Sequence, residues 1–258
     1  MPREARKRSK TSIYHVIFRG ANRQEIFHDD HDRIRFLNAL EKYALLYELK
    51  CYAWCLMNNH IHLLLKEGNE EISLTLKRLA ISYVQTYHFK YRTSGHLFED
   101  RFKSENVETV KYLLTVVRYI HQNPVKARMV RSIDDWPWSS CSEYYRGYSE
   151  TKWLDCDYIL NLYGFDRRLA IGHFKEFNER VTDDCCLEDV NDKKRRLTDD
   201  EARDLIKSSL GVVEIAQVKS LPKDRRDLLI REVKRIKGVS QRQMARILGV
   251  SQTLIFRA

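Results

Sequence analysis

Two apolar runs, Cys51–Met57 (CYAWCLM) and His60–Lys66 (HIHLLLK), are separated only by Asn58-Asn59. That spacing constrains the chain more than any other feature. Runs of this length rich in apolar and aromatic residues read as strands, and a two-residue gap between them asks for a tight hairpin. Asparagine tolerates the positive φ that such turns favour, so the two strands are expected to pair antiparallel. Ser12–Arg19 (SIYHVIFR) is β-branched and aromatic and reads as another strand. Between them, 32–49 places Ile34, Phe36, Leu37, Leu40, Tyr43, Ala44 and Tyr47 at helical spacing. Residues 71–90 do the same with Leu74, Leu76, Leu79, Ile81, Tyr83 and Val84, and Ser94-Gly95 ends that helix. His96–Val107 reads as extended or irregular, and 109–122 as a helix whose end Pro124 marks. The order is strand, helix, two strands, helix, strand, helix. It predicts an α+β fold, an antiparallel sheet with helices on one face.

Further on, Asp134–Tyr148 (DDWPWSSCSEYYRGY) is aromatic and turn-rich and reads as a loop wrapping this body. Residues 150–180 hold apolar runs that pack on the same body. Residues 182–201 are dense in charge and poor in apolar groups, which predicts a linker. The expected organisation is therefore a catalytic domain over 1–181, a charged linker over 182–201 and a small all-α unit over 202–258. Residues 1–10 carry five basic groups and nothing to bury, so they read as an arm.

No apolar stretch is long enough to span a bilayer, and no apolar segment follows the basic start as a secretory signal would require. None of the six cysteines lies in a CxxC pair, which argues against a zinc ribbon; reduced thiols in a cytoplasm are expected. Forty-six Lys and Arg against 36 Asp and Glu leave a net charge of +10. Such an excess favours a polyanionic partner, nucleic acid above all.

Alternate residues of a strand share a face, so His60 and His62 point the same way, roughly 7 Å apart, while Ile61 points into the core. Two imidazoles so placed can share a divalent ion. On spacing alone a chance surface pair is the commoner outcome. On the later helix Tyr119 and Asn123 are four apart and nearly stacked, with Tyr112 seven residues back on the same face. By spacing a tyrosine stripe packed on the sheet is again the commoner outcome, and Asn123 is equally a helix cap. If the two groups met, they would suit phosphodiester transfer. A tyrosine hydroxyl, ionised in about one molecule in a thousand at neutral pH, attacks well only with a base or a metal-activated target. A divalent ion would supply the latter. Two imidazoles and an amide oxygen suit Mg²⁺ or Mn²⁺, with the nitrogens tilting the preference to Mn²⁺.

Leu56–Leu65 (LMNNHIHLLL), Gly95–Lys103 (GHLFEDRFK), Arg118–Val130 (RYIHQNPVKARMV) and the PWSS segment Pro137–Ser140 together resemble the single-tyrosine HUH transposases, in particular the REP-associated tyrosine transposases. The resemblance covers roughly residues 8–180. It implies a ferredoxin-like fold, a divalent cation on His60 and His62 with Asn123 completing the site, and Tyr119 as nucleophile. It also implies cleavage and rejoining of single-stranded DNA bearing hairpins, through a 5′-phosphotyrosine link. Relatives often carry proline where Asn58 stands, and asparagine can still make that turn. The branch resembled implies a monomer rather than a homodimer.

At the C-terminal end Asp224–Ile236 is a basic amphipathic helix, Ser240 can cap a helix over 241–248, and Gly249-Val250 turns into a third helix capped by Ser251. This is helix-turn-helix spacing. Arg242, Ser251, Gln252, Thr253 and Arg257 would then meet duplex DNA in the major groove. A plain helical scaffold fits the same pattern, and the unit is similar to C-terminal extensions in some branches of the transposase family. Two functional classes follow: a metal-dependent DNA-cutting and DNA-joining enzyme, and a non-cutting sequence-specific DNA-binding protein. The intact His60, His62 and Tyr119 favour the enzyme.

Overall fold

The computed structural model describes residues 7–182, 184, 186–187, 197–211, 213–236 and 238–258. Residues 1–6 of the basic arm, and 183, 185 and 188–196 of the expected linker, lie outside the described residues. The chain begins with β1 (Ile13–Arg19), α1 (Asp30–Leu46), β2 (Lys50–Leu56), β3 (His60–Lys66), α2 (Ile72–Tyr91) and β4 (Lys103–Asn106), followed by α3 (Val110–Lys126). The sheet order is β2-β3-β1-β4 with every pair antiparallel, the ferredoxin-like arrangement.

The hairpin between β2 and β3 forms as expected, closed by the Met57 N–H on the His60 carbonyl at 2.9 Å. Neither asparagine takes a positive φ. Their carbonyls instead accept from Ile26, Phe27 and Gly20, so the turn is held by the loop after β1 rather than by left-handed backbone.

The two crossover helices share one face. Phe18 on that face packs at a tilt against Phe98, Phe98 likewise against Tyr83 of α2, and Tyr83 meets Phe36 of α1 edge-on. The carboxylate of Asp32, 2% exposed, ties these helices together by accepting from the Tyr91 hydroxyl and Lys90 Nζ. α3 extends the expectation, because it covers the opposite face. The strands are nearly continuous apolar runs, and β1, β2 and β3 are buried along almost their whole length. Strands buried on both sides need a second covering layer. α3 also runs through Pro124 to Lys126 rather than stopping before it. Proline there removes one backbone donor in the last turn only, and the helix closes with Ala127 N–H on the Asn123 carbonyl at 2.9 Å.

The aromatic segment expected as a loop contains a helix, α4 (Cys141–Arg146), and lies against the open edge of β2. The Leu56 N–H donates to the Trp138 carbonyl and Ser140 N–H to the Trp54 carbonyl. Such pairing blunts an edge that would otherwise be exposed. The short α5 (Cys156–Leu160) and α6 (Arg167–Glu179) complete the body, with α6 packed along α3.

Beyond the linker stand α7 (Asp199–Leu210), α8 (Lys223–Lys234), α9 (Gln241–Leu248) and α10 (Gln252–Arg257). Thr198 and Glu201 form a capping box that starts α7. The helix thus begins inside the stretch read as linker, whose charge is partly that of an acidic first turn. The unit has its own core, built from Ile206, Val218, Ile230, Val233, Met244, Ile247, Leu248 and Ile255 among others. It is also docked on the sheet domain. Arg203 donates to the carbonyls of Phe27 and His28 and pairs with buried Glu25, and Asn58 Nδ2 donates to Asp200 at 2.8 Å. Gly249 caps α9 at φ +66°, and a Cβ there would collide with the Gln24 side chain. Glycine serves both the turn and the close approach.

Candidate functional site

The antiparallel register decides which side chains meet. Ile17 lies opposite His62, Arg19 opposite His60, His15 opposite Leu64 and also opposite Glu105 of β4, and Ile17 opposite Lys103. Directly paired residues share a face. His15, Arg19, His60, His62, Lys103 and Glu105 therefore all stand on the face that α3 covers.

α3 brings Tyr119 down onto this set. Its ring lies 5.7 Å from that of His62 and 5.8 Å from that of His15, both edge-on. The His60 and His62 rings are 4.9 Å apart at 80°. Tyr119 is 7% exposed and His62 fully buried, so the tyrosine is packed and adjacent to the histidines at once. Asn123, one turn on, donates from Nδ2 to the Tyr119 carbonyl at 3.2 Å, which leaves its amide oxygen uncommitted by that bond, and its side chain lies within reach of His60. All four residues expected for the chemistry thus converge.

Burial holds the His60 imidazole down to about 3, with Arg19 adding to the effect. Burial likewise drives His62 well below its ordinary value, helped by His60 and His15. Both are neutral at physiological pH, the state in which an imidazole binds a metal. His60 Nδ1 is engaged by Asn59 Oδ1 at 2.7 Å. His62 Nε2 is buried with no hydrogen-bond partner among the described residues. An orphaned imidazole nitrogen beside a second neutral imidazole and an amide oxygen fits a divalent cation. Among the described residues no cluster of three or more His, Cys, Asp or Glu side chains is placed to hold an ion.

Three residues at the site were not singled out in the sequence: His15, Glu105 and Arg19. His15 Nε2 lies 3.2 Å from His62 Nδ1, and His15 Nδ1 lies 2.9 Å from Glu105 Oε1. Burial pushes the Glu105 carboxyl up, but hydrogen bonds from His15, the Leu187 N–H and Tyr112 outweigh it and leave it below the usual carboxylate range. Two-residue periodicity places His15 and Arg19 on one strand face. Only the pairing register shows that this face is the one bearing His62. Arg19 reaches the Tyr119 phenol electrostatically, and Lys126 Nζ sits 5.1 Å from the Tyr119 ring centre. Beside them a shallow cavity of about 230 Å³ is lined by Ile17, Arg19, Glu99, Asp100, Arg101 and Lys103. Three cations against two carboxylates leave its lining net positive, which suits a phosphate backbone.

The residues expected to read duplex DNA lie elsewhere, on the C-terminal unit. Arg242, Gln252, Thr253 and Arg257 are exposed. Ser251 caps α10, its Oγ accepting from the Leu254 N–H at 3.2 Å. The described cysteines, Cys51, Cys55, Cys141, Cys156 and Cys186, are free and buried. Among the described residues no helix is long and apolar enough to cross a membrane.

Residues 8–123 match the family model described as transposase IS200 like. A Haemophilus influenzae protein named for the REP-associated tyrosine transposases is 28% identical over 117 residues, 41% of this chain and 66% of that relative's length. Among solved structures, a REP-associated tyrosine transposase bound to a REP hairpin is 19% identical with a TM-score of 0.49, covering 57% of this chain and 86% of the other. A transposase-named structure from Deinococcus radiodurans is 16% identical with a TM-score of 0.33, covering 52% of this chain and 98% of the other.

Proposed function

We propose that this chain, whose residues 8–123 match the IS200-like transposase family model, is a metal-dependent tyrosine transposase that cleaves and rejoins hairpin-bearing single-stranded DNA. The observation that carries this reading is the convergence of Tyr119, on α3, with the paired histidines of β3, its ring 5.7 Å from that of His62. Neither a surface histidine pair nor a tyrosine used only for packing requires that meeting.

Tyr119 Oη attacks the scissile phosphorus. A tyrosine–phosphate bond forms to the 5′ side, the bond from phosphorus to the 3′ oxygen breaks, and the phenolic proton is accounted for on the freed 3′-hydroxyl. The reverse attack by a 3′-hydroxyl restores the phenol and rejoins a strand. His60, His62 and the amide oxygen of Asn123 would hold Mg²⁺ or Mn²⁺, which when bound polarises the phosphate and stabilises the charge on its oxygens. Arg19, Arg101 and Lys103 line the adjoining cavity and are suited to hold the flanking phosphates. The C-terminal unit, with Arg242, Gln252, Thr253 and Arg257 exposed, would bind duplex DNA.

The test is a denaturing gel of the protein with labelled single-stranded hairpin DNA, with and without Mn²⁺, wild type beside Tyr119→Phe. A metal-dependent protein–DNA adduct that vanishes in the variant is expected. Cleaved DNA without an adduct would mean that water attacks. Binding without cleavage or adduct across a range of hairpins would leave a non-cutting DNA-binding protein as the better account.

A further inference from the structure

His62 is supported from behind by a chain of hydrogen bonds running Glu105 – His15 – His62 across three strands. The links are 2.9 Å from Glu105 Oε1 to His15 Nδ1 and 3.2 Å from His15 Nε2 to His62 Nδ1. His15 and His62 are fully buried, and their rings stack at 5.4 Å and 24°. Glu105 is itself anchored by the Leu187 N–H at 3.0 Å.

The direction of each proton follows from the ends of the chain. An ionised carboxylate only accepts, so His15 must donate from Nδ1. A neutral His15 then has its lone pair on Nε2, so His62 must donate from Nδ1. That leaves the His62 lone pair on Nε2, the nitrogen that is buried with no hydrogen-bond partner among the described residues. The alternative is a doubly protonated His15 donating at both ends. It would place a charge at a fully buried position and leave a buried Nε2–H on His62 without an acceptor, two costs that the first arrangement avoids.

We propose that Glu105 and His15 are positioning residues that lock His62 in the Nδ1–H tautomer, so that its Nε2 lone pair is presented to a divalent cation. The inference rests on the metal-dependent reading of the site given above. It adds two residues to that reading, each acting through another side chain rather than touching the ion. A carboxylate or carbonyl behind a ligating histidine is a recurrent way of fixing tautomer and raising ligand basicity, and its loss costs about 10–100-fold in metal affinity. Here the support is relayed through a second imidazole.

The experiment has two readouts on the full chain. The first is long-range ¹H–¹⁵N NMR on ¹⁵N-histidine-labelled, metal-free protein, which reports which ring nitrogen of His62 carries the proton. The second is Mn²⁺ affinity, from the EPR signal of free Mn²⁺. Wild-type His62 is expected to be protonated at Nδ1. Glu105→Gln removes the enforced acceptor, and His15→Phe removes the acceptor of the His62 proton. Each should disturb the tautomer and weaken Mn²⁺ binding by about 10–100-fold. Because His15 is wholly buried, Glu105→Gln, near-isosteric and partly exposed, is the deciding variant if His15→Phe does not fold. His62 protonated at Nε2 in the wild type overturns the inference whatever the metal does. So does an unchanged Mn²⁺ affinity in Glu105→Gln beside a wild type that binds. A wild type with the expected tautomer that takes up no Mn²⁺ defeats the metal reading itself, and the positioning role falls with it.

Discussion

His28 ties the stability of the docked C-terminal unit to pH. It sits where the sheet domain meets α7, its Nε2 2.8 Å from the Tyr87 hydroxyl and its carbonyl accepting from Arg203 Nη1 at 3.1 Å. Burial brings its imidazole from 6.5 down to about 4, against the opposing pull of Asp32 and Asp29. The folded value lies below the unfolded one, so between them the unfolded chain binds the proton and the folded chain does not. The stability held by neutral His28 is intact above about pH 6.5 and is lost as pH falls toward about 4. For a shift of that size the loss between about pH 7 and about pH 5 is about 2 kcal/mol. In a chain of this length that corresponds to about 4–8 °C in Tm. Urea unfolding of wild type and His28→Gln, each measured at both pH values, isolates the contribution, because other groups act in both proteins. The wild type should lose about 2 kcal/mol more than the variant over this interval. An identical pH dependence in the two would refute the argument that burial holds His28 neutral.

The Arg203–Glu25 pair joins side chains 15% and 3% exposed. Arg203→Ala should therefore cost about 3–5 kcal/mol in urea unfolding by stranding a buried carboxylate; Glu25→Gln in the same background should recover part of it, and additive losses would mean that the two groups do not interact. Gln252→Ala and Arg257→Ala should each weaken duplex binding in gel-shift titrations by about 1–3 kcal/mol if they read bases, while leaving adduct formation on hairpin DNA unchanged; loss of the adduct would show that the C-terminal unit takes part in cleavage. Single-strand affinity should fall with log salt at about −0.7 per phosphate neutralised. A flat dependence measured by fluorescence anisotropy would rule out Arg19, Arg101 and Lys103 as phosphate contacts.

Much of the frame was legible along the chain because it depends on local spacing. HIHLLLK marked β3 to the residue, the asparagine pair its hairpin, and Ser240 and Ser251 the caps of α9 and α10. The putting of His60 and His62 on one strand face, and of Tyr119 and Asn123 on one helix face, likewise needs only the periods of strand and helix. What local period cannot supply is register and layering. β1 could pair with β3 one residue out of step at no local cost, and His15 would then face away from His62. Which way α3 lies was also open, since a tyrosine stripe packs equally well on either face of a sheet. Pro124 and the Asp134–Tyr148 segment misled for the same reason. A single lost backbone bond and an aromatic loop look like interruptions until the surfaces they cover are known.

By itself, then, the sequence determined the βαββαβ order, the identity of the candidate site side chains and the basic character that asks for a polyanion, because each follows from residue type and short-range spacing. Only the tertiary structure decided that α3 lies over the histidine face, that Glu105 and His15 stand behind His62, and that the C-terminal unit docks through Arg203 beside the hairpin. Those are long-range contacts, settled by the burial of surfaces far apart in the chain and by the pairing of the charges left between them.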